Sequence, residues 1–238
     1  MSVSSLAVSL KRPMRLWCFL TRAWASWTLV SENGPEARSV HAAAWDSDHS
    51  VFWIHGGSGA SMNSDLWTFD VARGSWNDWN LSLPATALPS AREDHAAAWD
   101  PVREQLWIYG GYDGNDFQKD LWTFSRNTMS WRRVTDSFVT GPTARSDHVA
   151  VWDDTFLALW VHGGMDSSLK GDLWRFDSRT EAWTEFRPEN PPSARAYHVA
   201  VWDFQNLAIW MHGGHDGRTL ANWTRIKASV VFFFSRWT

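Results

Sequence analysis

One spacing recurs four times along this 238-residue chain and constrains its fold more than any other feature. Ala37-Arg38, Ala91-Arg92, Ala144-Arg145 and Ala194-Arg195 stand at steps of 54, 53 and 50 residues. Three residues after each arginine comes a histidine: His41, His95, His148 and His198. Four further on is Trp-Asp (Trp45-Asp46, Trp99-Asp100, Trp152-Asp153, Trp202-Asp203), and eight after each of those tryptophans is a second one, Trp53, Trp107, Trp160 or Trp210. A glycine pair follows: Gly56-Gly57, Gly110-Gly111, Gly163-Gly164, Gly213-Gly214. Three of the units continue with Asp-Leu-Trp, at Asp65, Asp120 and Asp172, and place one more tryptophan nine residues beyond, at Trp76, Trp131 and Trp183. A period near 50 residues held at this many positions marks a repeat architecture.

The tryptophan content gives the period its physical meaning. There are 20 Trp in the chain and only 3 Tyr. A buried indole hides about 200 Å², or about 5 kcal/mol of transfer free energy before entropy is counted. Twenty scattered indoles would be an aggregation hazard, whereas twenty in register form a core.

Each unit reads as four short strands. Strand a is His-Ala-Ala-Ala-Trp or His-Val-Ala-Val-Trp, strand b runs from the second tryptophan into the glycines, strand c is Leu-Trp-Thr-Phe or Leu-Trp-Arg-Phe, and strand d carries Trp76, Trp131 or Trp183. These stretches are rich in aromatic and β-branched residues and bounded by Asp, Gly, Pro or Ser. No long stretch holds a 3.6-residue apolar period, so almost no helix is expected. Four strands repeating near 50 residues read as a propeller blade.

The pattern resembles the kelch repeat: a double glycine, then an aromatic, then tryptophan seven residues later, here Phe69 with Trp76, Phe124 with Trp131 and Phe176 with Trp183. The resemblance covers residues 16–216 and implies an all-β, kelch-type β-propeller. About four four-stranded blades are expected, three complete plus two half-blades. Leu16-Trp17, Phe19 and Trp27 fit strands c and d of an earlier unit, and the last unit keeps strands a and b and then fails, reading Ala221-Asn222-Trp223-Thr224 where Asp-Leu-Trp is due. Kelch propellers commonly close by joining first and last strands in one blade, and six blades are more usual. The reading is therefore either a minimal ring or a fragment of a larger propeller. Residues 1–15 are expected to be a disordered or targeting-like segment, and 217–238 an irregular tail, the trace of a truncated or misread end.

Loop lengths place the candidate site. Strands alternate in direction, so the a–b and c–d turns share one face of the disc and the b–c and d–a loops share the other. The a–b spacing is 8 residues and the c–d spacing 9 in every unit, whereas the d–a distances are 16, 14 and 12. The variable connections thus gather on one face, which also carries each Arg-x-x-His and each glycine pair. Loops on a rigid scaffold are where binding usually resides. On that face Arg38, Arg92, Arg145 and Arg195 are candidate ligand contacts, together with Tyr112, Asp113, Met165, Asp166, His215 and Asp216 from the b–c loops. One guanidinium per blade would suit an acidic peptide, and kelch domains that capture acidic peptides line their pockets with arginines at this place. The competing reading makes each arginine a strut to Asp65, Asp120 or Asp172. It is favoured by the strictness of the repetition, because a pocket needs asymmetry.

Other functions are disfavoured. Lys+Arg 22 against Asp+Glu 26 gives a net charge of −4, against a nucleic-acid binder. One cysteine, Cys18, excludes an internal disulfide framework and a thiolate cluster. No apolar run is long enough to span a bilayer as a helix. The histidines are paced one per blade and read as structural rather than metal-binding. Among kelch families, a copper oxidase uses a Cys–Tyr cross-link that Cys18 and Tyr109, Tyr112 and Tyr197 do not suggest, and no nucleophile motif marks a hydrolase. Asp153-Asp154 sits in an a–b turn, where turn chemistry accounts for it. The expectation is a non-enzymatic, cofactor-free scaffold that binds a protein partner through its loop face, with a cytoplasmic location by default. The alternative is a glycan- or small-molecule-binding propeller, with or without catalysis, acting at the channel mouth.

Overall fold

Each repeat becomes one antiparallel sheet. In the computed structural model, which describes residues 29–31, 33–80, 88–134, 140–217 and 229–231, the first blade is β1 (Ala42–Asp46), β2 (Val51–His55), β3 (Leu66–Asp70) and β4 (Ser75–Asp78). The second is β5 (Ala96–Asp100), β6 (Gln105–Tyr109), β7 (Leu121–Ser125) and β8 (Ser130–Arg133). The third is β9 (Val149–Asp153), β10 (Ala158–His162), β11 (Leu173–Asp177) and β12 (Ala182–Phe186). In each of these sheets the strands pair in chain order, and no α-helix occurs among the described residues. Contacts divide the chain into Met1–Val30 and Ser31–Thr238, and the strands among the described residues lie in the second unit.

The fourth sheet departs from the pattern. It holds β13 (Ala196–Asp203), β14 (Ala208–His215) and, as third strand, β15 (Ser229–Val231), which pairs with Ile209–Met211. Its third strand therefore comes from the stretch expected to be irregular, beyond the position where Asp-Leu-Trp is due. The expected half-blade at Leu16–Trp27 lies outside the described residues.

Register follows from the tryptophan spacing. Trp45 pairs with Phe52, Trp99 with Leu106, Trp152 with Leu159 and Trp202 with Ile209. The eight-residue spacing is fixed by the turn between them. The aspartate of each Trp-Asp accepts two backbone N–H bonds inside it: Asp46 from Asp48 and His49, Asp100 from Val102 and Arg103, Asp153 from Thr155 and Phe156, Asp203 from Gln205 and Asn206. Such Asx turns explain an aspartate there without invoking function.

Cores form between sheets, since a single sheet cannot bury its own faces. β1 lies beside β5, β5 beside β9 and β9 beside β13. Trp99 stacks on Trp53 at 5.2 Å, Trp152 on Trp107 at 5.7 Å, and Trp202 on Trp160 at 6.5 Å. Offset stacking of this kind adds about 1 kcal/mol beyond the buried area. Around the first stack gather Ala44, Leu66, Leu106 and Phe124, and around the second Ala98, Leu121, Leu159 and Phe176. Every core is thus built half from one blade and half from the next.

Candidate functional site

The arginine of each repeat ties its own sheet together. Arg92 Nη1 and Nη2 donate to the two carboxylate oxygens of Asp120 at 2.6 and 3.0 Å, and Nη1 also donates to the Gly110 carbonyl at 2.9 Å. Arg145 does the same with Asp172 at 2.7 and 2.8 Å and with the Gly163 carbonyl, and Arg38 with Asp65 and the Gly56 carbonyl. Arg92 and Arg145 are fully buried. Burial alone would push the three carboxyls up, but the paired guanidiniums and the Trp67, Trp122 and Trp174 indoles hold them below their ordinary range. Arg195 donates to the Gly213 carbonyl and to the Ser193 carbonyl and hydroxyl, and Ser193 Oγ donates in turn to Asp216.

The backbone of the same residues joins neighbouring blades. Arg92 N–H donates to Asn63 and its carbonyl accepts from Gly57; Arg145 is linked likewise to Gln118 and Gly111, and Arg195 to Lys170 and Gly164. Each of these three arginines therefore fastens the preceding blade's b–c loop to its own sheet.

The histidines occupy the same seams. His55 Nδ1 lies 2.9 Å from His95 Nε2, and His162 Nδ1 lies 3.1 Å from His198 Nε2. Tyr109 substitutes at the middle seam, its ring edge-on to His148 at 5.3 Å and its hydroxyl donating to the Pro142 carbonyl. Burial first, then a neighbouring arginine, pushes His55 and His148 down to about 3 and His162 to about 4. Burial, then His162, holds His198 at about 3. Gly56 shows why the motif needs glycine: at φ +64, an added Cβ would meet the Arg92 carbonyl at 2.7 Å and His95 Cε1 at 2.9 Å. The second glycine lies against the strand-a histidine of its own sheet: a Cβ on Gly57 would meet His41 Cβ at 2.7 Å. No group of three or more His, Cys, Asp or Glu side chains is arranged to hold a metal among the described residues.

Two sets of side chains on the b–c and d–a face do vary. The first follows the glycine pair: Ser58, Tyr112, Met165 and His215. Its backbone is constant in blades 1–3, where Ser58 bridges Ser39 and Met62, Tyr112 bridges Glu93 and Phe117, and Met165 bridges Ser146 and Leu169. Beside it, Asp113 accepts from the Asn115 and Asp116 N–H groups and from Gln118, and Asp166 pairs with Lys170 at 2.9 Å. The second set, missed in the sequence, is Val40, Asp94, Asp147 and Tyr197, the residue before each strand-a histidine. All four have positive φ, between 52° and 60°. They form a chain of backbone bonds from blade to blade: Asp94 N–H to Val40, Asp147 N–H to Asp94 and Tyr197 N–H to Asp147. Burial, then the adjacent Asp147 carboxylate, pushes the Asp94 carboxyl up. Tyr197 Oη reaches Met165 Sδ at 3.5 Å, so the two sets touch. Nothing in Arg-x-x-His announces a left-handed residue at the second x, which is why composition did not reveal this rim. On the opposite face an open depression of about 430 Å³ is lined by the a–b turns, through Ser47, Asp48, Pro101, Val102, Asp154 and Thr155.

Antiparallel sheets set side by side through their first strands, with a buried core at each junction and an arginine stapling each sheet, are kelch-type β-propeller blades. The comparisons agree. The family described as the KLHDC2/KLHL20/DRC7 Kelch-repeats domain matches residues 9–224, and the chain belongs to the kelch-repeat family. Human leucine-zipper-like transcriptional regulator 1 is 29% identical over 140 residues, 58% of this chain and 16% of that protein. Tip elongation aberrant protein 3 of Schizosaccharomyces pombe is 27% identical over 191 residues, covering 66% and 16%. Human Kelch domain-containing protein 1 is 26% identical over 161 residues, covering 63% and 38%. The chain thus spans about a sixth of the length of the first of these relatives. Kelch-repeat proteins generally act as protein-interaction scaffolds, and the relatives are mostly non-enzymatic.

Proposed function

We propose that this chain is a non-enzymatic scaffold that binds a protein partner on the face carrying the b–c and d–a loops. The observation that carries the reading is asymmetry on a constant backbone. The same bridged loop presents Ser58, Tyr112 and Met165 in successive blades, and the rim beside it presents Val40, Asp94, Asp147 and Tyr197. A structural requirement would have held these residue types constant, as it holds the arginines, glycines and tryptophans constant.

The arginines serve this face by shaping it. The guanidiniums of Arg38, Arg92 and Arg145 are engaged by Asp65, Asp120 and Asp172, which removes the main attraction for an acidic peptide. Half-exposed Tyr112 with Phe117 at 5.4 Å, and Tyr197 beside Met165, offer rigid aromatic and thioether contacts of the kind that anchor interfaces. Asp113, Asp166, His215 and Asp216 supply polar groups around them. The partner's complementary surface is apolar, with a neutral or basic rim.

The test is capture of partners by the full chain. Tyr112→Ala combined with Met165→Ala should remove a captured protein at least ten-fold without moving the melting temperature by more than a few degrees. Val102→Asp, in the depression on the opposite face, should leave capture intact. Loss through Val102→Asp alone would place binding on the a–b face and overturn the reading.

A further inference from the structure

Several carboxylates of this chain are matched with a cation: Asp65, Asp120 and Asp172 with the repeat arginines, Asp70 with Arg73, and Asp166 with Lys170. Asp94 and Asp147 stand beside each other instead. The Asp147 N–H donates to the Asp94 carbonyl at 2.9 Å, and the two carboxyls lie together at the junction of blades 2 and 3. Among the described residues neither is paired with a lysine or an arginine. Glu93 brings a third carboxyl close, and the Ser146 hydroxyl donates to Asp147. Like charges held this near oppose one another, and burial, then Asp147, pushes the Asp94 carboxyl up. On either side of the pair the surface is apolar. Tyr112 exchanges backbone bonds with Glu93, the residue before Asp94, and its ring lies 5.4 Å from that of Phe117. Met165 exchanges them with Ser146, the residue before Asp147, and its Sδ lies 3.5 Å from Tyr197 Oη. Phe117 is 37% exposed and Tyr197 52%. Two carboxyls without a cation thus lie between two partly exposed apolar pairs.

We propose that the partner places a lysine or arginine side chain between Asp94 and Asp147, with apolar residues beside it on Tyr112 and Met165. This rests on the loop-face reading given above and adds the partner's chemistry: a segment with one basic residue flanked by apolar ones. The argument is charge complementarity inside an apolar surround. A cation arriving between the two carboxyls removes the repulsion that the free chain carries there, and it forms charge-assisted bonds to both. The tyrosine and methionine on either side give the flanking residues packed contacts, so the charge is recognised in a partly dry setting where it discriminates best. An acidic segment meets the opposite: a like-charged centre, and repeat arginines already closed on their own sheets.

The test is selection from a randomised nonapeptide library on the immobilised full chain, with the bound peptides sequenced. Lysine or arginine should be enriched about ten-fold or more at one position, with apolar residues enriched beside it. Asp94→Asn combined with Asp147→Asn should abolish the basic preference and keep the apolar one. Asp94→Asn alone, which relieves the like-charge pair, is read if the double variant loses its near-ultraviolet tryptophan signal. A fluorescent copy of the best peptide with its basic residue exchanged for methionine should lose about ten-fold in affinity for the native chain and almost none for the variant. An apolar preference that needs Tyr112 and Met165 but carries no basic residue overturns the inference and leaves the loop-face reading standing. A basic preference that survives both asparagines also overturns it. No enrichment of any sequence overturns the inference and the reading together.

Discussion

Blade 2 and blade 4 share most of their signature residues and differ in what surrounds them. In blade 2 the Arg92 guanidinium closes on Asp120, Trp99 is packed against Trp53, and Gly110 lies against the Arg145 carbonyl of the next blade. In blade 4 the Asp-Leu-Trp segment is missing from the sequence, Val199 and Val201 face outward, and Gly213 has open space beside it. The same motif is therefore core in one place and surface in another. In a repeat protein the environment of a residue is set by the neighbouring unit, so stability is a sum over seams as much as over blades.

Acid should produce the largest effect, and it acts on the seams. His55, His148, His162 and His198 are all held well below the ordinary histidine range by burial. The unfolded chain therefore binds more protons than the folded one between about pH 6.5 and pH 4, and stability falls as pH falls through that window. At pH 5 each of them costs about 2 kcal/mol, and together they rival the roughly 5–15 kcal/mol that stabilises a whole domain. Urea midpoints should drop steeply from pH 7 to pH 5. His162→Tyr, which copies the Tyr109 arrangement into the third seam, should flatten that slope by up to about one proton. An unchanged slope would mean that the seam histidines are not what acid attacks.

Arginine substitutions should sharpen the contrast next. Arg92→Ala leaves the buried Asp120 carboxylate without its partner, and breaking such a pair costs about 3–5 kcal/mol. Arg195→Ala removes bonds to the Gly213 carbonyl and to Ser193, whose loss is expected to cost about 1–3 kcal/mol. Chemical denaturation of the two variants should rank them in that order, and equal losses would mean that the carboxylate partner is not what distinguishes the blades.

The blades were legible in the sequence because their determinants are local and repeated: the Asx-capped a–b turn, the eight-residue tryptophan step and the glycine pair. The strut from arginine to the Asp-Leu-Trp aspartate was legible as one of two readings, since strict repetition argues for architecture. The rim of Val40, Asp94, Asp147 and Tyr197 was not legible. Those residues share neither size nor charge, and what unites them is a left-handed backbone conformation and an inter-blade bond. Asp94 and Asp147 gave no sign of lying side by side, because some fifty residues separate them and only the stacking of sheets brings them together. The third strand of blade 4 was equally hidden: Ser229–Val231 carries none of the motif that marks strand c elsewhere.

The smallest expected effect is the most direct measure of what a neighbouring blade contributes. Gly110 and Gly213 occupy the same place in their repeats at φ +67 and +76, so alanine pays a similar left-handed penalty at both, about 1–2 kcal/mol. At Gly110 the new methyl also meets the Arg145 carbonyl at 2.7 Å and His148 Cε1 at 2.8 Å, whereas at Gly213 it meets nothing within 4 Å. Gly110→Ala should therefore lose about 1–3 kcal/mol more than Gly213→Ala in dilute solution, the ordinary cost of forcing a group into a packed seam. Equal losses would show that backbone strain alone fixes these glycines and that the seam yields to the methyl.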